Sequence, residues 1–122
     1  MEGKKPAILV VEDEVLVRML AIDVAVAGGF EALSAANADE AIEILELRPD
    51  VRLVFTDVNM PGSMNGLRLA HTVRQRWPPV ELLVTSGFAN LTTADLPERA
   101  RFSPKPYDVD ALSETFQLMA AG

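Results

Sequence analysis

The sequence predicts an α/β domain built on a parallel sheet with helices on both faces. Short apolar, β-branched runs alternate with helical patterns along the chain, and Gly and Pro clusters separate them. Charged or hydroxylated residues stand immediately after most of the apolar runs. ILVV, Ile8 to Val11, is the first strand and runs directly into Glu12-Asp13-Glu14. From Val15 to about Ala27 the apolar residues Leu16, Met19, Leu20 and Ala27 recur at helical spacing, and Gly28-Gly29 supplies the stop. Phe30 to Ala36 reads as a second strand. Asn37 with Glu40 three residues on is a capping-box variant opening a helix with Ala41, Ile42, Ile44 and Leu45 apolar, closed by Arg48-Pro49.

Val51 to Thr56 is the third strand, and it delivers Asp57 to its end before Pro61-Gly62 turns the chain. Gly66 to Arg76 is a helix with Leu67, Leu69, Ala70 and Val73 apolar, ended by Trp77-Pro78-Pro79. Glu81 to Thr85 is the fourth strand. Asn90 to Asp95 is a poor helix by propensity, with two Thr, an Asp and then Pro97, and is expected to be the softest element. Arg101 to Ser103 is a brief fifth strand, Lys105-Pro106 a turn, and Asp108 or Asp110 caps a final helix carrying Leu112, Phe116 and Met119. The order is βα repeated five times.

At 122 residues the chain is expected to form one domain, residues 1–122, able to bury a core of its own. Hydrophobic residues at 49% and charged residues at 24% are those of an ordinary globular domain. No apolar run approaches the roughly 20 residues of a membrane span, and the start lacks the apolar segment of a signal peptide, so a cytoplasmic location without membrane contact is expected. With no Cys, disulfides, thiolate zinc sites and Cys nucleophiles are excluded. With one His as well, a metal site must rely on carboxylates, which suit hard ions such as magnesium or calcium. A net charge of -7 argues against nucleic acid as a partner.

In a parallel sheet all strand carboxyl ends open on one edge, so loops distant in sequence become neighbours. That edge gathers Glu12-Asp13, Asp57, Thr85-Ser86 and Lys105. Each motif alone has an ordinary reading as an acidic helix start, a turn or surface punctuation. Their coincidence at strand ends is what carries weight. Clustered carboxylates repel, by about 4 kcal/mol for two charges about 4 Å apart at an effective dielectric of 20, so they need a cation or protons. A carboxylate beside magnesium can act as a nucleophile towards phosphorus, with Thr85 and Lys105 available to phosphoryl oxygens.

VVEDE, FTDVNMPG, LLVTSG and PKPY, in that order over nearly the whole chain, resemble the signature segments of bacterial two-component response regulator receiver domains. The resemblance implies a flavodoxin-like (βα)5 fold with strand order 2-1-3-4-5. It implies that Asp57 takes a phosphoryl group from a phosphohistidine, that Glu12 and Asp13 position Mg2+, and that the backbone carbonyl of Asn59 completes the protein ligands. Thr85 matches the switch hydroxyl, Lys105 the lysine that pairs with the phosphoryl group, Phe102 the switch aromatic and Pro106 a cis proline. The implied partners are a histidine kinase or histidine phosphotransfer protein, and an output partner on the face of the fourth helix, fifth strand and fifth helix. The domain is a phosphoacceptor rather than an enzyme, promoting at most its own phosphorylation and dephosphorylation. MPGSMNG is one residue longer than the shortest form of that loop, a variant similar to receivers attached to hybrid sensor kinases. Ser86 is expected to fill space beside Thr85.

Because the chain ends soon after the last helix, output is expected through partner binding, as a phosphate sink or through a region outside this sequence, and a docking module is the alternative function. A flavin binder is disfavoured because Glu12-Asp13-Glu14 would repel the cofactor phosphate. A phosphatase is disfavoured because Asn59 stands where a second acid is wanted. His71 reads as a solvated surface residue, Trp77 as helix-end packing, and Met60 and Met64 as gap fillers.

Overall fold

The computed structural model describes residues 5–60, 62, 64–87 and 92–121, and places them in one five-stranded parallel sheet of order β2-β1-β3-β4-β5. The strands are β1 (Ala7–Val11), β2 (Glu31–Ala35), β3 (Val51–Asp57), β4 (Glu81–Ser86) and β5 (Ala100–Pro104). The α-helices are α1 (Val15–Ala27), α2 (Ala38–Leu47), α3 (Gly66–Arg76) and α4 (Val109–Ala120). The expected fivefold βα repeat is thus incomplete among the described residues. Between β4 and β5 there is a single 3₁₀ turn, Thr93–Asp95, in place of an α-helix, and residues 90 and 91 of the expected segment lie outside the described residues. Thr92 and Asp95 explain the local choice. The Asp95 carboxylate accepts from the Thr92 amide at 2.8 Å and its hydroxyl at 3.2 Å, a short-range closure that competes with helix propagation.

The strand alternation sorts the core into two layers. On one face Leu9, Val11, Val54, Leu82 and Val84 meet Ala38, Ala41 and Leu45 of α2 and Leu69, Ala70 and Val73 of α3. On the other, Ile8, Val10, Leu53, Phe55 and Leu83 meet Ala21, Val24 and Ala25 of α1 and Leu112, Phe116 and Met119 of α4. Trp77, Met60 and Met64 pack against the first layer, as their apolar surfaces require.

The apolar stripe read on α1 faces the wrong way. Leu16, Met19 and Leu20 are exposed, Leu16 by 81%, and Ala21, Val24 and Ala25 are the buried set. Small side chains let α1 lie close against the sheet, so its bulkier apolar residues are left on the outside. Gly29, at φ 93, makes the turn into β2 that an L side chain resists.

Asn37 caps α2 as expected. Its side chain accepts from the Glu40 amide at 2.9 Å, and Glu40 reaches back to accept from the Ala36 amide at 2.8 Å. Asn37→Ala should cost about 1 kcal/mol of stability, read by denaturant unfolding with an unchanged slope.

His71 is exposed, yet its Nε2 is hydrogen-bonded to the Asp95 carbonyl at 2.9 Å. Arg74, one turn on, donates from Nε to the Glu98 carbonyl at 2.9 Å and from Nη1 to the Pro78 and Val80 carbonyls at 2.7 and 2.8 Å. These bonds hold the segment between β4 and β5 against α3.

Candidate functional site

β1, β3 and β4 are neighbours in the sheet and end at one level, so their last residues share an edge. Asp57 pairs in register with Thr85, and Val11, the residue before Glu12, pairs with Thr56. Glu12, Asp57 and Thr85 are buried there. The chain leaves Asp57 by a tight path: the Val58 amide donates to the Thr85 carbonyl, and the Gly66 amide returns to donate to the Val58 carbonyl, both at 2.9 Å. Gly66 is required at that return because a side chain would fall on the Asp57 carbonyl and the Thr56 hydroxyl.

One carboxylate oxygen from each of Glu12, Asp13 and Asp57 can be chosen so that all lie within 4.8 Å of one another. Lys105, carried in from the end of β5, offsets this charge. Its Nζ donates to Glu12 Oε1 at 2.9 Å and Asp57 Oδ2 at 3.1 Å, with Glu14 Oε1 at 4.0 Å. Burial works to depress the Lys105 pKa, but the bonds to Glu12 and Asp57 outweigh it and the net shift is upward. Glu12 is pushed above the usual carboxylate range, first by burial and also by the Asp57 charge, against the opposing bonds from Lys105 and the Glu14 amide. Glu12 is further fixed by its backbone, whose carbonyl accepts from Arg18 Nη1 at 2.7 Å and whose amide donates to Ala35 at 3.0 Å.

The loop lysine enters through a cis Lys105–Pro106 peptide, and the Lys105 amide donates to the Ser86 carbonyl at 3.2 Å. Asn59 is exposed at the mouth. Its amide nitrogen donates to Asp57 Oδ1 at 3.3 Å, and its side chain donates to Ser86 Oγ at 3.3 Å. Ser86 is therefore more than a space filler: it ties the loop after β3 to the end of β4. Phe102 is 38% exposed and lies beside Val84, while Ser103 is the residue in register with Thr85. Tyr107 also belongs to this region, with its ring 5.5 Å from that of Phe55, although the sequence singled it out only as part of PKPY.

A buried carboxylate at the end of the central strand, flanked by two further acids and bridged by a lysine, at the edge of a 2-1-3-4-5 sheet, defines a receiver-type phosphoacceptor fold. The chain belongs to the response regulator receiver domain family, which matches residues 8–116. It is 36% identical over 116 residues to the sensor kinase CckA of Brucella abortus, covering 92% of this chain and 12% of that kinase. The receiver domain of NtrX from Brucella abortus is similar in structure, at TM-score 0.83 and 31% identity, covering 92% of this chain and 96% of that one. So is the response regulator TrrA from Thermotoga maritima, in complex with Mg2+-BeF, at TM-score 0.79 and 25% identity over 93% of this chain and 97% of that one. Receiver domains are signalling domains that bind Mg2+ at an acidic pocket and interact with histidine kinases or phosphotransfer proteins.

The acidic cluster fits such an ion on its own chemistry. All its donors are oxygens, which hard divalent cations prefer, and the buried Glu12 and Asp57 engage the Lys105 ammonium as their counter-charge. No helix among the described residues is long and apolar enough to cross a membrane.

Proposed function

We propose that Asp57 is the phosphoacceptor of this receiver, with Glu12, Asp13, Asp57 and the Asn59 backbone carbonyl as the protein ligands of Mg2+. The observation that carries the reading is the convergence of Lys105 on Asp57 and Glu12 inside a cluster of acids. Bound magnesium supplies charge neutralisation, allowing an anionic carboxylate and an anionic phosphoryl group to approach. An Asp57 carboxylate oxygen attacks phosphorus, the nitrogen–phosphorus bond of the donor histidine breaks, and its electron pair returns to the imidazole. Lys105 and the Thr85 hydroxyl then serve the phosphoryl oxygens, which replace carboxylate oxygens as partners of the ammonium.

The switch follows from what Thr85 has to gain. Thr85 Oγ1 is buried without a hydrogen bond, so an acyl phosphate offers it a partner. Its movement towards Asp57 vacates space behind β4 into which Phe102 turns from its outward position. The surface altered is that of residues 92–98, β5 and α4, the last corresponding to the fifth helix of the family pattern. An output partner would read this face, and the domain would act as a signalling module within residues 1–122.

The donor side is the exposed apolar stripe of α1. Val15, Leu16, Met19 and Leu20 follow directly on the acidic loop, and a cavity of about 360 Å³ bounded by Val17, Leu20, Lys105 and Tyr107 adjoins them. An amphipathic helix presenting the phosphohistidine fits such a surface.

The test is transfer of radiolabel from a phosphorylated histidine phosphotransfer protein. Label should move to this chain with Mg2+ and stay on the donor with chelator; metal-independent transfer would count against the reading. Magnesium alone should raise the melting midpoint of the wild type, and Asp13→Asn should reduce that rise by more than half.

A further inference from the structure

This inference rests on the phosphoacceptor reading and concerns Tyr107. Thr85 is 1% exposed, and its Oγ1 has no hydrogen bond. A buried hydroxyl in that condition is costly unless a partner is within easy reach. Tyr107 stands beside it. Its ring is held against Phe55 at 5.5 Å and 51°, and Phe55 in turn packs edge-on against Phe116 at 5.5 Å. Phe55 lies two residues before Asp57 on β3, so the stack fixes the phenol under the acidic site. Tyr107 also bounds the cavity shared by Gly87 and Lys105.

The phenol responds to the same groups. Burial, then the charges of Glu12 and Asp57, push its pKa up, while the Thr85 side chain acts in the opposite direction as a nearby hydrogen-bonding group. Tyr107 is therefore protonated at neutral pH and can both donate and accept. The two hydroxyls are neighbours that have not closed a well-formed hydrogen bond.

We propose that Tyr107 is a positioning residue for the switch: a small approach of its hydroxyl closes a hydrogen bond to Thr85 Oγ1, and that bond competes with the one Thr85 makes to a phosphoryl group on Asp57. Two partners then compete for one buried hydroxyl. The Tyr107–Thr85 pair holds the unphosphorylated arrangement, and its strength sets how far the free domain already leans towards the switched one. The packed stack keeps the phenol in place while Thr85 moves.

Beryllofluoride with Mg2+, which mimics the phosphoryl group without a covalent step, tests this by calorimetric titration. Tyr107→Phe keeps the ring on Phe55 and removes the competing oxygen, so beryllofluoride affinity should rise about three- to tenfold, the equivalent of one net hydrogen bond. In a Thr85→Val background the same substitution should change nothing, and in a Thr85→Ser background the effect should return. Equal affinities for wild type and Tyr107→Phe would overturn the proposal, as would an equal gain with Thr85→Val, which would indicate packing alone. A wild type that binds no beryllofluoride would overturn the Asp57 reading as well, so the two failures are distinguishable. Thermal unfolding of each variant confirms that the comparison is between folded proteins.

Discussion

Asp57→Asn should give a folded protein that takes up no phosphate from a small phosphodonor under conditions in which the wild type becomes monophosphorylated. The amide oxygen is a far weaker nucleophile than a carboxylate, and the substitution removes one of the three clustered acids. Folding should survive because Lys105 retains Glu12 as a partner at 2.9 Å and because the surrounding strands are held by apolar packing on both faces. Intact mass after incubation with acetyl phosphate and Mg2+ checks it. A full adduct on the variant would remove Asp57 from its assigned role.

Gly66→Ala should be the most damaging single-methyl change in the described chain. The added carbon would overlap the Asp57 carbonyl and press on Thr56 Oγ1, and neither can yield easily. Thr56 and Asp57 are in the central strand, Thr56 paired with β1 and β4 and Asp57 with Thr85 of β4, and the Gly66 amide is itself tied to the Val58 carbonyl at 2.9 Å. Relief requires the loop after β3 to open or α3 to shift. We expect a loss of about 3 kcal/mol, a melting midpoint lower by about 10 °C, and slower phosphorylation, because the same shift displaces Asp57. Unchanged stability would mean that the approach of α3 to Asp57 is looser than described.

The strand ends and the residues they present were legible in the sequence because the physics there is local. A β-branched run followed at once by an acid, a hydroxyl or Lys-Pro marks where a strand stops and what it presents, and parallel topology does the gathering. Asn37 and Glu40 were legible for the same reason, since a capping box is satisfied within a few residues.

Features that depend on tertiary packing were not. Both sides of α1 are apolar, so periodicity alone could not tell the tightly packed Ala21, Val24, Ala25 side from the exposed Leu16, Met19, Leu20 side. Ser86 and Tyr107 are polar residues whose partners come from distant parts of the chain, Asn59 in the loop after β3 in one case and the Thr85 and Phe55 surroundings in the other. The need for glycine at position 66 arises from a backbone crossing that no spacing rule encodes. The weak helical signal before Pro97 was read as soft, and the 3₁₀ turn at Thr93–Asp95 is what local side-chain bonding leaves of it in the described residues.

The central claim is that the phosphoryl group is carried by Asp57 and nowhere else. Its most direct test is to phosphorylate the wild type with Mg2+, reduce the acyl phosphate with borohydride, and sequence the peptides by mass spectrometry. Reduction of an aspartyl phosphate leaves homoserine, a permanent mark at the acceptor position. Homoserine at residue 57 alone, absent when magnesium is chelated, is the predicted result. A mark at residue 13, or a phosphate that resists reduction and maps to Ser86, Thr85 or His71, would contradict the account.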